Sequence, residues 1–219
     1  MELRRLLDRD LADLRDRVLL LGGETENAVQ RAMQSLIERD SGAAQLVLDG
    51  DDRIDQLELS IDRRCIETLA LRQPAARDLR FVVAVAKVTP VLERIADHAC
   101  NIARAAIRLN DEPELSHFPE LKEMADLASA LLRSALDAFT AGDAAVARGL
   151  IAEDDAVDRV YERLVESLLQ LMTGDPNTIR RAARLLLVAK HLERIGDYVT
   201  NICELTVYMT DAEVLRHSA

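Results

Sequence analysis

Apolar residues recur at helical spacing from the start of the chain. Leu3, Leu7, Leu11, Leu14, Val18 and Leu21 share one face, and the period resumes through Ala28, Ala32 and Leu36. The spacing predicts a first helix from near Glu2 to Arg39, weakened but continuous across Gly22-Gly23. Asp40-Ser41-Gly42 is a break carrying a good N-cap, and a second helix follows to about Arg72. Pro74 suits the first turn of a third helix reaching about Asn110. Asp111–Pro119 is the longest linker, followed by a fourth helix over Glu120–Thr140. Gly142-Asp143 resets the chain for a fifth helix to about Met172. Thr173-Gly174-Asp175-Pro176 then separates a sixth helix, which ends near Met209–Asp211. Composition agrees with an all-α chain: 49% of residues are hydrophobic but only 3% aromatic, with eight glycines and five prolines.

The six expected helices fall into two sets of three. Leu92-Glu93-Arg94-Ile95-Ala96-Asp97 continues through Asn101-Ile102, and Leu192-Glu193-Arg194-Ile195-Gly196-Asp197 continues through Asn201-Ile202. The offset is 100 residues, and seven of thirteen positions from Leu92 to Arg104 repeat in Leu192 to Glu204. Each copy follows a Pro-led helix start and an acidic helix, opened by Asp51–Asp55 in one case and Asp154–Asp158 in the other. The pattern implies duplication of a three-helix bundle: residues 1–111 form one repeat and 112–219 the second, related by a pseudo-twofold.

Charge narrows the partners. With 28 basic and 39 acidic residues the net charge is −11, which argues against nucleic acid. The Arg-rich opening, Met1–Arg17, alternates with Asp and reads as an ion-paired, solvated helix face. The longest apolar run, Phe81–Ala86, is too short to span a bilayer, and Asp8, Asp10 and Asp13 interrupt any leader-like pattern. Three cysteines without a CxxC pair read as buried free thiols in a reducing, cytoplasmic setting.

The repeated stripe carries the candidate chemistry. Residues four apart on a helix are offset by about 40°, so Glu93, Asp97 and Asn101 stack in one row, as do Glu193, Asp197 and Asn201. Asp51/Asp55 and Asp154/Asp158 make matching rows on the preceding helices. If those helices pack antiparallel, four carboxylates converge in each repeat. Like charges at that spacing repel, so cations between them would offset the cost. Oxygen-only ligands suit Mg²⁺, Mn²⁺, Ca²⁺ or iron. A solvated acidic face is the competing reading.

Catalytic constellations are weaker. Glu114-Leu115-Ser116-His117 matches the Glu-x-x-His of di-iron bundles once, in the linker, and reads as coincidence. His98 is replaced by Tyr198 in the repeat, while His191 and His217 stand without partners. No nucleophile–base set or phosphate-cradling glycine loop is present in the sequence. A metal-dependent phosphoester hydrolase using the carboxylate clusters is the one enzymatic alternative.

The duplicated Leu-Glu-Arg-Ile-(Ala/Gly)-Asp…Asn-Ile signature at Leu92–Ile102 and Leu192–Ile202 resembles that of the PhoU family. Arg72-Gln73-Pro74 with Asp78-Leu79-Arg80, and the acidic helix openings, are similar to the same family, so the resemblance covers nearly the whole chain. It implies two tandem three-helix bundles and a cytoplasmic, dimeric, non-enzymatic protein that meets the membrane only through its partners. Those partners would be the ATPase subunit of a phosphate ABC transporter and a sensor histidine kinase. The implied role is negative regulation of the phosphate-starvation response and of phosphate uptake. It also implies multinuclear iron or zinc on the surface motifs Asp51/Asp55, Glu93/Asp97, Asp154/Asp158 and Glu193/Asp197, with Asn101 and Asn201 as neighbours. The first copy departs from the pattern at Ala96, Pro90 and Arg104, which ranks the copy around Glu193 as the better metal patch.

Overall fold

The computed structural model describes residues 2–115, 118–153 and 155–215. Within them the chain is helical, without strands: α1 (Glu2–Ile37), α2 (Ser41–Arg72), α3 (Ala76–Asn110), α4 (Pro119–Ala141), α5 (Ala144–Ile151), α6 (Asp155–Gly174) and α7 (Ile179–Asp211). A single 3₁₀ turn, Pro176–Thr178, leads into α7. α1, α2 and α3 pack on one another as the first bundle; α4, α5/α6 and α7 form the second.

Local chemistry sets the boundaries. The Asp40 carboxylate accepts from the Ala43 amide at 3.0 Å, and Asp143 accepts from Ala145 and Val146, both at 3.0 Å. Gly142, at φ +67°, closes α4 in the left-handed conformation that glycine adopts without a Cβ clash. Arg39 ties the α1–α2 turn to the end of α3 by donating to the carbonyls of Leu109, Asn110 and Glu112. Those carbonyls lie at and just past the C-terminus of α3, where intrahelical donors run out.

Two expectations change here. The third helix starts at Ala76, because Gln73 is left-handed (φ 49°) and Ala75 is extended, leaving the buried Pro74 outside the helix. The expected fifth helix divides into α5 and α6. The amides of Ala152 and Glu153 bond back three residues, to Gly149 and Leu150, tightening and ending the turn. Asp155 and Asp158 then sit in the first turn of α6, where carboxylates favour a helix start. Pro90, by contrast, does not end α3, which runs on to Asn110.

α3 and α7 pack antiparallel at the middle of the molecule. Arg80 Nε donates to the Met209 carbonyl at 3.2 Å, and the His98 and His191 Nδ1 atoms are 2.9 Å apart. His98 and Tyr198, equivalent positions of the repeat, meet with ring centroids 5.6 Å apart, so the pseudo-twofold axis passes between them. One continuous apolar core spans both bundles, including Leu92, Ile95 and Ile102 beside Leu192, Ile195 and Ile202, all fully buried. No helix among the described residues is long and apolar enough to cross a membrane.

α1 is continuous across Gly22-Gly23, as the periodicity predicts, and the two glycines differ in role. A Cβ on Gly22 would stand 2.8 Å from Leu136 of α4, whereas one on Gly23 would meet nothing within 4 Å. Gly23→Ala should therefore stabilise the protein by about 0.5–1 kcal/mol through helix propensity alone. Gly22→Ala should lose that gain to the clash and recover it in a Leu136→Ala background. A double-mutant cycle in urea reads the coupling.

Candidate functional site

α2 and α3 lie antiparallel, which brings the first pair of acidic rows together. Asp51 and Asp55 come from α2, Glu93 and Asp97 from α3. Burial, followed by the charges of Asp51, Asp97 and Asp52, raises the Asp55 carboxyl above the ordinary range. Glu93 rises as well, through burial and then Asp97, Glu58 and Asp55, with Arg94 opposing. No ion pair engages Asp51, Asp55, Glu93 or Asp97 among the described residues. The apolar flank of the same helices (Ile54, Ile61, Ile95, Ile102) is buried in the core, which holds both rows at the bundle's outer edge.

The second patch is built alike and neutralised differently. Asp158 on α6 is raised by burial, then by Asp197, Asp155 and Glu162, and lowered by Lys190. Lys190 Nζ stands 2.6 Å from Glu193 Oε2, a charge contact outside hydrogen-bonding alignment, and Arg194 Nη1 donates to Asp197 at 2.9 Å. Lys190 also lies over the Tyr161 ring and Arg194 over Tyr198. At position 90, the counterpart of Lys190, the first copy has Pro90. The uncompensated patch is thus the one around Glu93, and the ion pairs weigh against ranking the copy around Glu193 first. Asp154 lies outside the described residues.

Among the described residues no group of three or more His, Cys, Asp or Glu stands in ion-holding geometry, so an ion would have to draw these side chains inward. The chemistry of the donors fits a hard or borderline cation at the first patch: four carboxylates, raised protonation at Asp55 and Glu93, and no ion pair among the described residues. The two asparagines also line grooves. Asn101 Oδ1 accepts from Arg104 at 3.0 Å and lines a groove between α3 and α7, and Asn201 lines the equivalent groove.

The expectation that His191 lacks a partner is corrected. It shares a hydrogen bond with His98 across the seam, a contact between residues 93 apart that no sequence motif marks. Burial, then the charges of His191 and Arg194, lower His98 to about 4, so the pair is neutral near pH 7. His117, of the linker Glu-x-x-His, and His217 lie outside the described residues. Cys65, Cys100 and Cys203 are buried and form no disulfide, and burial pushes Cys65 and Cys100 up to about 12, which removes them as nucleophiles.

The sequence profile of the PhoU domain matches twice, at residues 18–106 and 121–206. The phosphate-specific transport system accessory protein PhoU homolog of Pseudomonas aeruginosa is 39% identical over 209 residues, covering 95% of this chain and 86% of the relative. The Escherichia coli phosphate-specific transport system accessory protein PhoU is 34% identical over 208 residues, with the same coverages of 95% and 86%. The crystal structure of PhoU from Pseudomonas aeruginosa superposes with a TM-score of 0.91 over 94% of this chain and 99% of that one, at 39% identity. The phosphate transport system regulatory protein PhoU from Streptococcus pneumoniae gives 0.90 over 96% and 100%, at 30% identity.

Proposed function

The chain belongs to the PhoU family, and from that premise we propose that it is a cytoplasmic, non-catalytic regulator of phosphate uptake. It acts as an adaptor between the ATPase subunit of a phosphate ABC transporter and a sensor histidine kinase, and represses the phosphate-starvation response while phosphate is plentiful. The observation that carries this reading is the match of the whole two-bundle plan to proteins named as accessories of a phosphate transport system. Action is by protein contact, in a homodimer or on these partners, for which α2 offers exposed apolar side chains interspersed with Asp62 and Arg63. Leu59 and Ile66, seven residues apart on α2, are 63% and 58% exposed. The protein reaches the membrane only through its partners.

Deleting the gene is expected to switch on phosphatase and transporter expression in phosphate-rich medium. Expression that stays repressed in the deletion strain would overturn the adaptor reading.

The carboxylate patches belong to the same proposal as cation sites. Asp51, Asp55, Glu93 and Asp97 would hold one group, and Asp154, Asp158, Glu193 and Asp197 the other, with Asn101 and Asn201 near the rows. Bound iron, zinc, Mg²⁺ or Mn²⁺ would supply positive charge that cross-links the two helices of a patch. The hydrolase alternative has less support: Asp55, Asp97 and Asp158 are exposed, and an open helix face does not exclude water from a reacting ester.

A further inference from the structure

The pseudo-twofold creates two grooves between α3 and α7, and their lining residues correspond at the offset of 100. One is lined by Asn101, Arg104, Arg108, Arg184, Leu187 and His191. The other has Asn201, Glu204, Tyr208, Lys87 and Val91 at the matching positions, with Ala84 in the sequence place of Arg184. The twins have diverged in opposite senses. Val214 and Leu215, from the segment after α7, also line the second groove, and Lys87 lies over the Tyr208 ring. Among the described residues no carboxylate lines the first groove, although the chain carries a net charge of −11.

Its cations are only partly engaged. Arg104 gives one N–H to Asn101, Arg184 pairs with Glu112 at the rim, and Arg108 has no carboxylate partner among the described residues. Arg104 and Arg108 are one turn apart on the same face, an arrangement that repels unless an anion sits between the guanidiniums. Planar guanidinium forks match the oxygens of a tetrahedral anion. Where His191 accepts from His98 at Nδ1, its own proton resides on Nε2 as a further neutral donor. The groove holds about 210 Å³, below the roughly 300–1,000 Å³ of drug-sized sites, so the fit is to a single small anion.

We propose that the groove formed by Arg104, Arg108, Arg184 and His191 binds a small tetrahedral oxyanion of the phosphate or sulfate kind, free or as the terminal group of a small ester. This inference does not rest on the regulatory role, and its failure would leave that role standing. The test is calorimetric titration of the full chain, in chelator so that no cation bridges the anion to the acidic patches. Inorganic phosphate, sulfate and glycerol 3-phosphate are the probes. Saturable binding is expected, weakened at least tenfold in Arg104→Glu/Arg108→Tyr, which installs the residues of the twin groove. Lys87→Ala, in the twin itself, should bind as the parent does. Both arginines are exposed, so the double variant should keep the parent's circular dichroism. Tighter binding of the ester assigns the anion to an organic phosphate, and tighter inorganic phosphate assigns it to the free ion. Absence of saturable binding by all three probes, or a double variant within twofold of the parent, overturns the proposal.

Discussion

Asp10→Ala is expected to lower the stability of the folded chain by about 3 kcal/mol, which for a protein of this length means a fall of roughly 6–12 °C in melting temperature. The carboxylate is only 5% exposed, yet it holds two arginines of α2. Oδ1 accepts from Arg64 Nη2 and Oδ2 from Arg72 Nε, both at 2.7 Å. Arg64 reaches on to Asp13 at 2.9 Å, and Asp13 also binds Arg17. Removing Asp10 leaves the partly buried Arg72 guanidinium without its carboxylate and takes one of Arg64's two α1 partners, and the cost comes from that lost pairing more than from the missing contact. Urea denaturation of the variant measures it. Asp8→Ala is the control, since Asp8 pairs among the described residues with exposed Arg4 one turn away and should change stability by less than about 1 kcal/mol. Equal effects of the two substitutions would show that the clamp carries no special weight.

The second large effect concerns the patch around Glu93. Folded-state protonation is raised at Asp55 and Glu93, by burial first and then by neighbouring carboxylates. The folded chain therefore holds more protons than the unfolded chain as these groups titrate. The stability linked to them is fully present below the ordinary carboxylate pKa of about 4 and is lost as pH rises through the higher folded values. At pH 7 the patch works against folding. In chelator, Asp55→Asn/Glu93→Gln should be more stable than the parent by up to about 1 kcal/mol, carried mainly by half-buried Glu93 because solvent screens exposed Asp55, with the advantage vanishing towards pH 4. A divalent cation at a hundredfold excess over its dissociation constant should stabilise the parent by about 2.7 kcal/mol and the double variant by little. Thermal denaturation with and without Mn²⁺, Mg²⁺, Zn²⁺ or Fe²⁺ checks both parts. A parent indifferent to every cation would remove the metal reading of this patch.

Much of the fold was legible because its signals are local. Periodicity located the helices, Asp40 and Asp143 marked two starts, and the Leu-Glu-Arg-Ile repeat exposed the duplication. The division at 152–153 was not legible, since it involves no glycine or proline at the break; it arises from two amides bonding three residues back. The acidic rows were readable from i, i+4 spacing. Their unequal neutralisation was only half readable, because Pro90 and Lys190 are visible in sequence but their positions over the rows are not. The Arg-rich start looked like a solvated, self-paired face. Asp10 escaped that reading because its partners lie 54 and 62 residues away. The arginine groove was invisible for the same reason: Arg104 and Arg108 meet Arg184, far along the chain, only when α3 and α7 pack antiparallel.

The two halves are joined by one linker between α3 and α4, so both are encoded in a single reading frame. In a ring of identical subunits any substitution appears at every equivalent place at once. Here a codon change alters one groove or one patch and leaves its twin as it was. Arg104 where the second copy has Glu204, and Pro90 where it has Lys190, are the record of that freedom. Fusion turned a self-matching ancestor into a polypeptide with a distinguishable front and back, able to present different chemistry to two different neighbours.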